Sequence, residues 1–110
     1  MSEETARASL MGGLINLSAY EDGKLVGFGR VLGDGKLYFY VQDLIVAPAF
    51  RGRGYGCQIM DALLAETGKI AAPGAVICLM AASGKEAFYE SLGFVARPTP
   101  NLGAGMMLRL

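Results

Sequence analysis

The segment Arg51-Gly52-Arg53-Gly54-Tyr55-Gly56 constrains this chain more than any other. Three glycines at alternate positions strip the side chains from a stretch of backbone. Each adds chain entropy that folding must overcome, so a mere turn is a wasteful use of them. Just before the segment, Pro48 ends an apolar stretch. Just after it, Ile59-Met60 and Leu63-Leu64 fall on one helical stripe. The pattern predicts a strand, a glycine loop, and a helix with one buried face running to Thr67 and closed by Gly68. At such a junction unpaired N–H groups meet the positive end of the helix dipole, and glycines let an anion reach the backbone. Neither Gly-x-Gly-x-x-Gly nor Gly-x-x-x-x-Gly-Lys-Ser/Thr can be completed from any glycine in the chain, which argues against a nicotinamide or P-loop site.

The flanking sequence supplies a sheet. Glu3 to Leu10 can form about two helical turns, N-capped by Ser2 and ended by Gly12-Gly13. Leu14 to Tyr20 alternates, with Ile15, Leu17 and Ala19 on one face. Glu21-Asp22-Gly23-Lys24 then reads as a tight hairpin turn, and Leu25 to Leu32 as the returning strand. Gly33-Asp34-Gly35 is a second turn, and Lys36 to Val46 a longer third strand. Ala75 to Met80 is an unbroken apolar run, expected to be a strand buried on both faces with Cys78 as a small core residue. Lys85 to Leu92 predicts a short helix stopped by Gly93. Phe94–Arg97 and Gly105–Leu110 predict a last strand pair around Pro98 and Pro100, with Met106-Met107 in a core or interface. The fold class is α/β (α+β): a mixed, mostly antiparallel sheet with helices on both faces, order α-βββ-α-β-α-ββ, in one domain spanning 1–110.

Composition narrows the function classes. The 110 residues are 53% hydrophobic and 18% charged, enough to bury a real core. Ten basic residues balance ten acidic ones, so no excess of positive charge favours nucleic acid or an anionic membrane. Histidine is absent, which removes the commonest general base and metal ligand, and no metal site is expected. Cys57 and Cys78 have no Cys-x-x-Cys spacing and suit a reduced, cytoplasmic setting. The acidic start lacks the apolar stretch of a signal peptide, and no run approaches the roughly 20 apolar residues of a membrane span.

Arg51-x-x-Gly54-x-Gly56, preceded by Val46-x-Pro48, resembles the pyrophosphate loop of the GNAT superfamily, the acyl-CoA-dependent N-acetyltransferases. Asp43-Leu44-Ile45-Val46-Ala47-Pro48 is similar to that family's strand leading into the loop. Ala87-Phe88-Tyr89-Glu90-Ser91-Leu92-Gly93-Phe94 resembles its late helix-to-strand signature. The resemblance implies that acetyl-CoA is the cofactor and that pantetheine enters between the third strand and Ala75–Met80. The stretch Leu44-Ile45-Val46 would line it, with backbone bonds from Leu44 and Val46, and the Val46 N–H would polarise the thioester carbonyl. The N–H groups from Gly52 through Arg53, Gly54, Tyr55 and Gly56 to Cys57 would hold the pyrophosphate, with Arg51 and Arg53 near the phosphates. For Arg53 a solvated loop position competes. Tyr89 would be the general acid for the departing thiolate, with packing beside Phe88 and Leu92 as the competing reading.

Three departures from the family pattern stand out. Many relatives carry glutamate or histidine as general base where this chain has Gln42, or two residues earlier at Tyr40. Asp43 is the one acid in the segment, and strand alternation places it with Leu37, Phe39, Val41 and Ile45, as a buried structural aspartate. A water chain or an acceptor that is already neutral could replace a base. Ala82 stands where relatives often carry an asparagine that contacts pantetheine, and Ser83 could substitute in part. Full-length relatives usually begin with a strand and a helix before the counterpart of Glu3–Leu10. Leu14–Tyr20 is therefore expected to be a sheet edge, covered either by a second copy in a homodimer or by the first helix. Cys57 sits at a helix start, but it has no histidine partner for covalent catalysis. The function implied is acetyl transfer to a small-molecule or peptide amine by direct attack in a ternary complex. The rival is a CoA-binding or regulatory module without turnover.

Overall fold

Short-range chemistry sets most element boundaries in the computed structural model, which describes residues 1–110. Helix α1 (Glu3–Met11) starts at Ser2, whose hydroxyl accepts the Thr5 N–H at 3.1 Å. Strands β1 (Ile15–Glu21) and β2 (Lys24–Gly33) meet at Asp22-Gly23, with φ of 49° and 78°, the pair of positive values a two-residue hairpin needs. Before strand β3 (Tyr38–Val46), Asp34 Oδ1 accepts the N–H groups of Lys36, Leu37 and Tyr38. Those bonds hold its carboxyl below the usual carboxylate range. A short 3₁₀ turn (Pro48–Phe50) leads to helix α2 (Tyr55–Ile70), strand β4 (Val76–Leu79) and helix α3 (Glu86–Ser91).

The chain divides into two compact units, Met1–Leu79 and Met80–Leu110. In the first, four strands lie in the order β1-β2-β3-β4, antiparallel until β4, which runs parallel to β3. Helix α2 packs on one face, directly over the middle of β2. A Cβ on Gly27 would come within 2.7 Å of Ile59, and one on Gly29 within 2.7 Å of Ile59 and 2.8 Å of Leu63. Opposite these glycines stand Ala19 and Leu17 of β1 and Val46 and Leu44 of β3, so Ile15, Leu17 and Ala19 do share the face toward α2. Val31, Phe39, Val41, Met60 and Leu63 are buried and make the core. On the other face Arg30 donates through Nη2 to Ser9 Oγ of α1 at 3.1 Å. Helices on both faces of a mixed, mostly antiparallel sheet agree with the expected fold class.

Four expectations are corrected. Helix α2 does not close at Gly68. It runs on to Ile70, where the Ala71 N–H still bonds to Thr67 O, and Pro73 then disfavours further helix. A glycine inside a helix costs only about 1 kcal/mol, which the packed Ile59–Leu63–Thr67 face offsets. Strand β4 is not buried on both faces. Ile77 and Leu79 are half-buried, whereas Val76 and Cys78 are exposed, so Cys78 is no core residue. An edge strand can be apolar throughout without a second layer to cover it.

The predicted strands Phe94–Arg97 and Gly105–Leu110 do not form. A two-stranded ribbon is marginal without a third strand or a covering layer, and Val95, Met106, Met107 and Leu108 are exposed, in neither core nor ladder. A turn at Thr99–Leu102 and an Arg97 Nε bond to Gly103 O at 2.6 Å organise that segment instead. Asp43, finally, does not share a face with Val41. Asp43 pairs with Arg30 and Val41 with Val31, so Gln42 is an extra residue, a β-bulge that reverses the alternation.

Candidate functional site

The bulge coincides with the end of a ladder. Strands β3 and β4 pair only from Tyr38↔Val76 to Val41↔Leu79, and beyond Val41 the β4 side of β3 has no strand beside it. The direction of the free groups follows from one bond. Ala47 N–H donates to Val26 O at 2.8 Å, so the alternating antiparallel pattern turns Asp43 and Ile45 toward β2 and Leu44 and Val46 away from it. The Leu44 and Val46 N–H groups therefore face the open side, while Ile45 spends its backbone groups on Phe28. Val46 O is taken by Arg51, whose Nε donates to it at 3.1 Å.

The glycine loop begins where this open edge ends. Gly52 and Gly54 have φ of 79° and 84°, and a Cβ on either would meet nothing within 4 Å. Both positions need the left-handed backbone region, and both leave the approach to the backbone clear. From Gly52 to Cys57 no N–H donates to a protein acceptor, and the first backbone bond of the helix is Gln58 N–H to Gly54 O at 3.1 Å. These are the orphan donors of a helix start, prolonged by the loop. Cys57 is exposed on the first turn of α2, and Gly56 is half-buried there.

Side chains tie the loop down from behind. Arg53 Nη1 lies 3.4 Å from Glu21 Oε2 of the hairpin, and its guanidinium sits 5.1 Å from the centre of the Phe50 ring. Phe50 in turn meets Tyr55 edge-on, with ring centroids 6.3 Å apart. Desolvation, with the Glu21 carboxylate adding to it, raises the Tyr55 phenol above its ordinary value. Arg51 and Arg53 thus both have partners inside the protein. Glu21 has no sequence signal of its own, because its role depends on a hairpin turn arriving beside a loop about thirty residues later.

Asp43 is engaged as well. Its Oδ2 lies 3.3 Å from Arg30 Nε, and the arginine side chain is only 7% exposed. Gln42 is exposed and Tyr40 half-buried, so β3 offers no free carboxylate beside the bulge.

Within the second unit, Tyr89 projects from α3 half-buried, edge-on to Phe88 and Phe94 with ring centroids 5.1 and 6.0 Å away. Burial pushes its phenol above the ordinary tyrosine value. Its position on the helix is fixed by a two-bond cap: Gly93 N–H to Glu90 O and Phe94 N–H to Tyr89 O, with Gly93 at φ 100°. Ser83 is exposed in the turn closed by Lys85 N–H and Ala82 O at 2.9 Å.

Comparison with known proteins gives a consistent answer. The sequence profile of the acetyltransferase (GNAT) domain matches residues 15–96. The uncharacterized N-acetyltransferase ycf52 of Pyropia yezoensis is 32% identical over 75 residues, covering 68% of this chain and 42% of that protein. This chain thus spans less than half the length of the curated relative. Among solved structures, a probable acetyltransferase of methicillin-resistant Staphylococcus aureus is 27% identical, with a TM-score of 0.87 over 100% of this chain and 81% of that one. A GNAT-family acetyltransferase of Streptococcus pneumoniae is 26% identical, with a TM-score of 0.82 over 98% of this chain and 80% of the other. No helix is long and apolar enough to cross a membrane.

Proposed function

The chain belongs to the GNAT acetyltransferase family, and on that premise we propose that it transfers an acetyl group from acetyl-CoA to an amine by direct attack in a ternary complex. One observation carries this reading. The open edge of β3, with the Leu44 and Val46 N–H groups facing outward, runs straight into a loop of unpaired N–H groups. That layout suits a ligand with an amide-bearing arm and a diphosphate, and the cradle at Gly52 and Gly54 is one a Cβ would fill. Acetyl-CoA, when bound, supplies the acetyl group activated as a thioester.

The chain's own groups would do the rest. The N–H groups from Gly52 to Cys57 hold the pyrophosphate, and Leu44 and Val46 hold the pantetheine arm, with Ser83 as a further contact. The Val46 N–H stabilises the oxygen on which charge develops. The arginines act mainly by fixing the loop. Tyr89 donates a proton to the departing thiolate, and its raised pKa keeps that proton in place through neutral pH. With Asp43 held by Arg30, the acceptor amine arrives neutral or loses its proton through water. The acceptor is a small-molecule or peptide amine. The setting is cytoplasmic, without nucleic acid or membrane as partner.

Release of CoA with a panel of amines tests the proposal. Turnover is expected, and binding without turnover across the panel would instead make the chain a CoA-binding module. Tyr89→Phe keeps the ring and removes the donor, so kcat should fall about 10²–10⁴-fold with little change in acetyl-CoA affinity. In the parent, the rate should show no loss from this acid until the pH exceeds the ordinary phenol value of about 10. An unaltered rate in the variant would return Tyr89 to a packing role.

Assembly as a homodimer belongs to the same reading. Strand β1 is a sheet edge without proline or charge from Leu14 to Tyr20, so its outer row of backbone groups is offered to a second copy. Light scattering after gel filtration should give twice the chain mass, and a mass near 11.6 kDa would remove the dimer from the account.

A further inference from the structure

A buried charge sits where nothing in the chemistry asks for one. Arg30 lies in the middle of the central strand β2 and is 6% exposed, and its side chain takes Asp43 and Ser9 as polar partners on the sheet face away from α2. Its Nε, 3.3 Å from Asp43 Oδ2, is buried without a well-directed hydrogen bond. As a stabilising device this is poor, because burying the guanidinium costs much of what it gains from a carboxylate that is itself 36% exposed. Buried polar pairs are better attested as devices that select a register. A register needs selecting here, since the pair stands immediately beside the bulge at Gln42.

We propose that Arg30 and Asp43 are positioning residues: their pairing across β2 and β3 locks the bulge at Gln42, and the bulge turns the Leu44 and Val46 N–H groups toward the open edge. The argument is one of parity. Without the extra residue, Asp43 would follow Val41 onto the α2 face and bury its carboxylate among Val31, Met60 and Leu63. On the face it occupies, it meets the Arg30 guanidinium. Only the bulged register therefore satisfies both charges. That register also fixes which residues of β3 point their N–H groups away from β2, because a slip by one residue exchanges the inward and outward sets. Ser9 completes the lock by holding Arg30 Nη2 from α1 at 3.1 Å.

The inference rests on the acyltransfer reading for its kinetic consequence but not for its structural one. Arg30→Met alone would leave the Asp43 carboxylate unpaired and could unfold the chain, so the informative variant is the double replacement Arg30→Met with Asp43→Leu. An apolar pair of similar volume keeps or raises stability. It has no preference for either face, and so it removes the selection.

The double variant should melt at or above the parental temperature. Its kcat/KM for acetyl-CoA should fall at least tenfold, a transition-state loss of about 1.4 kcal/mol. In the ligand-free protein, NMR contacts across β2 and β3 should show a second register at Gln42–Val46. A double variant with parental kcat/KM and a single parental register overturns the proposal. A parent protein that neither binds nor turns over acetyl-CoA defeats the functional reading instead, and the NMR register then decides the positioning role by itself.

Discussion

Two pairs of glycines, one in β2 and one in the loop before α2, use the same missing side chain for opposite ends. At Gly27 and Gly29 the vacated space is already filled, by Ile59 and Leu63 at distances no Cβ could tolerate. At Gly52 and Gly54 the space is open, and what the glycine supplies is a left-handed backbone and a clear approach. The first pair lets the helix sit close to the sheet. The second keeps the start of that same helix accessible. Together they set where α2 lies and what its N-terminus can meet.

The comparison predicts different failures. Gly29→Val should have the largest effect on the fold, since a Cβ alone would stand 2.7 Å from Ile59 and 2.8 Å from Leu63, and valine adds two methyls to it. Overpacking of this kind costs about 1–3 kcal/mol, and here it also shifts the helix that carries the loop. Thermal unfolding should show a marked drop. A melting temperature equal to the parent's would mean that α2 can slide without penalty and that the two pairs are not different in kind.

Gly54→Val should leave a folded protein that binds acetyl-CoA at least tenfold more weakly, about 1.4 kcal/mol, by titration calorimetry. The left-handed φ adds about 1–2 kcal/mol of strain, well below the stability of an ordinary domain. Parental affinity in this variant would reduce the loop glycines to a turn. The smallest effect belongs to the tether. Glu21→Ala frees Arg53 and Tyr55, and an exposed pair of this type is worth about 0.2–1 kcal/mol. Acetyl-CoA binding should weaken about twofold, with the difference vanishing at high salt. A larger, salt-independent loss would show that the loop is held by Glu21 rather than by its own backbone.

How much of this was legible in advance differs from place to place. The Asp22-Gly23 hairpin, the Ser2 cap, the Gly93 cap and the strand–loop–helix junction all follow from residues within a few positions of one another. Their chemistry is complete locally, and the structure has them where the sequence puts them. Gly27 and Gly29 carry no local mark of the helix that fills their place. The partners at Ile59 and Leu63 were not readable.

Three of the four errors share one cause. A strand exists only as a member of a ladder, and which way its residues point depends on the register with its neighbour. Residues 94–97 and 105–110 look like strands and have no ladder to join. Cys78 looks like core and sits on an uncovered face of an edge strand. Asp43 obeys simple alternation in sequence and escapes it in space, because Gln42 is extra only relative to β2.

The sequence by itself therefore determined the turns, the caps, the glycine loop before α2 and the family these residues resemble, since each depends on short-range backbone geometry. Tertiary structure alone decided the bulge, the point at which β3 parts from β4, the close seat of α2 on β2 and the burial of Arg30. Those features are relations between segments that meet only after the chain has folded, and a residue's own neighbours carry no record of them.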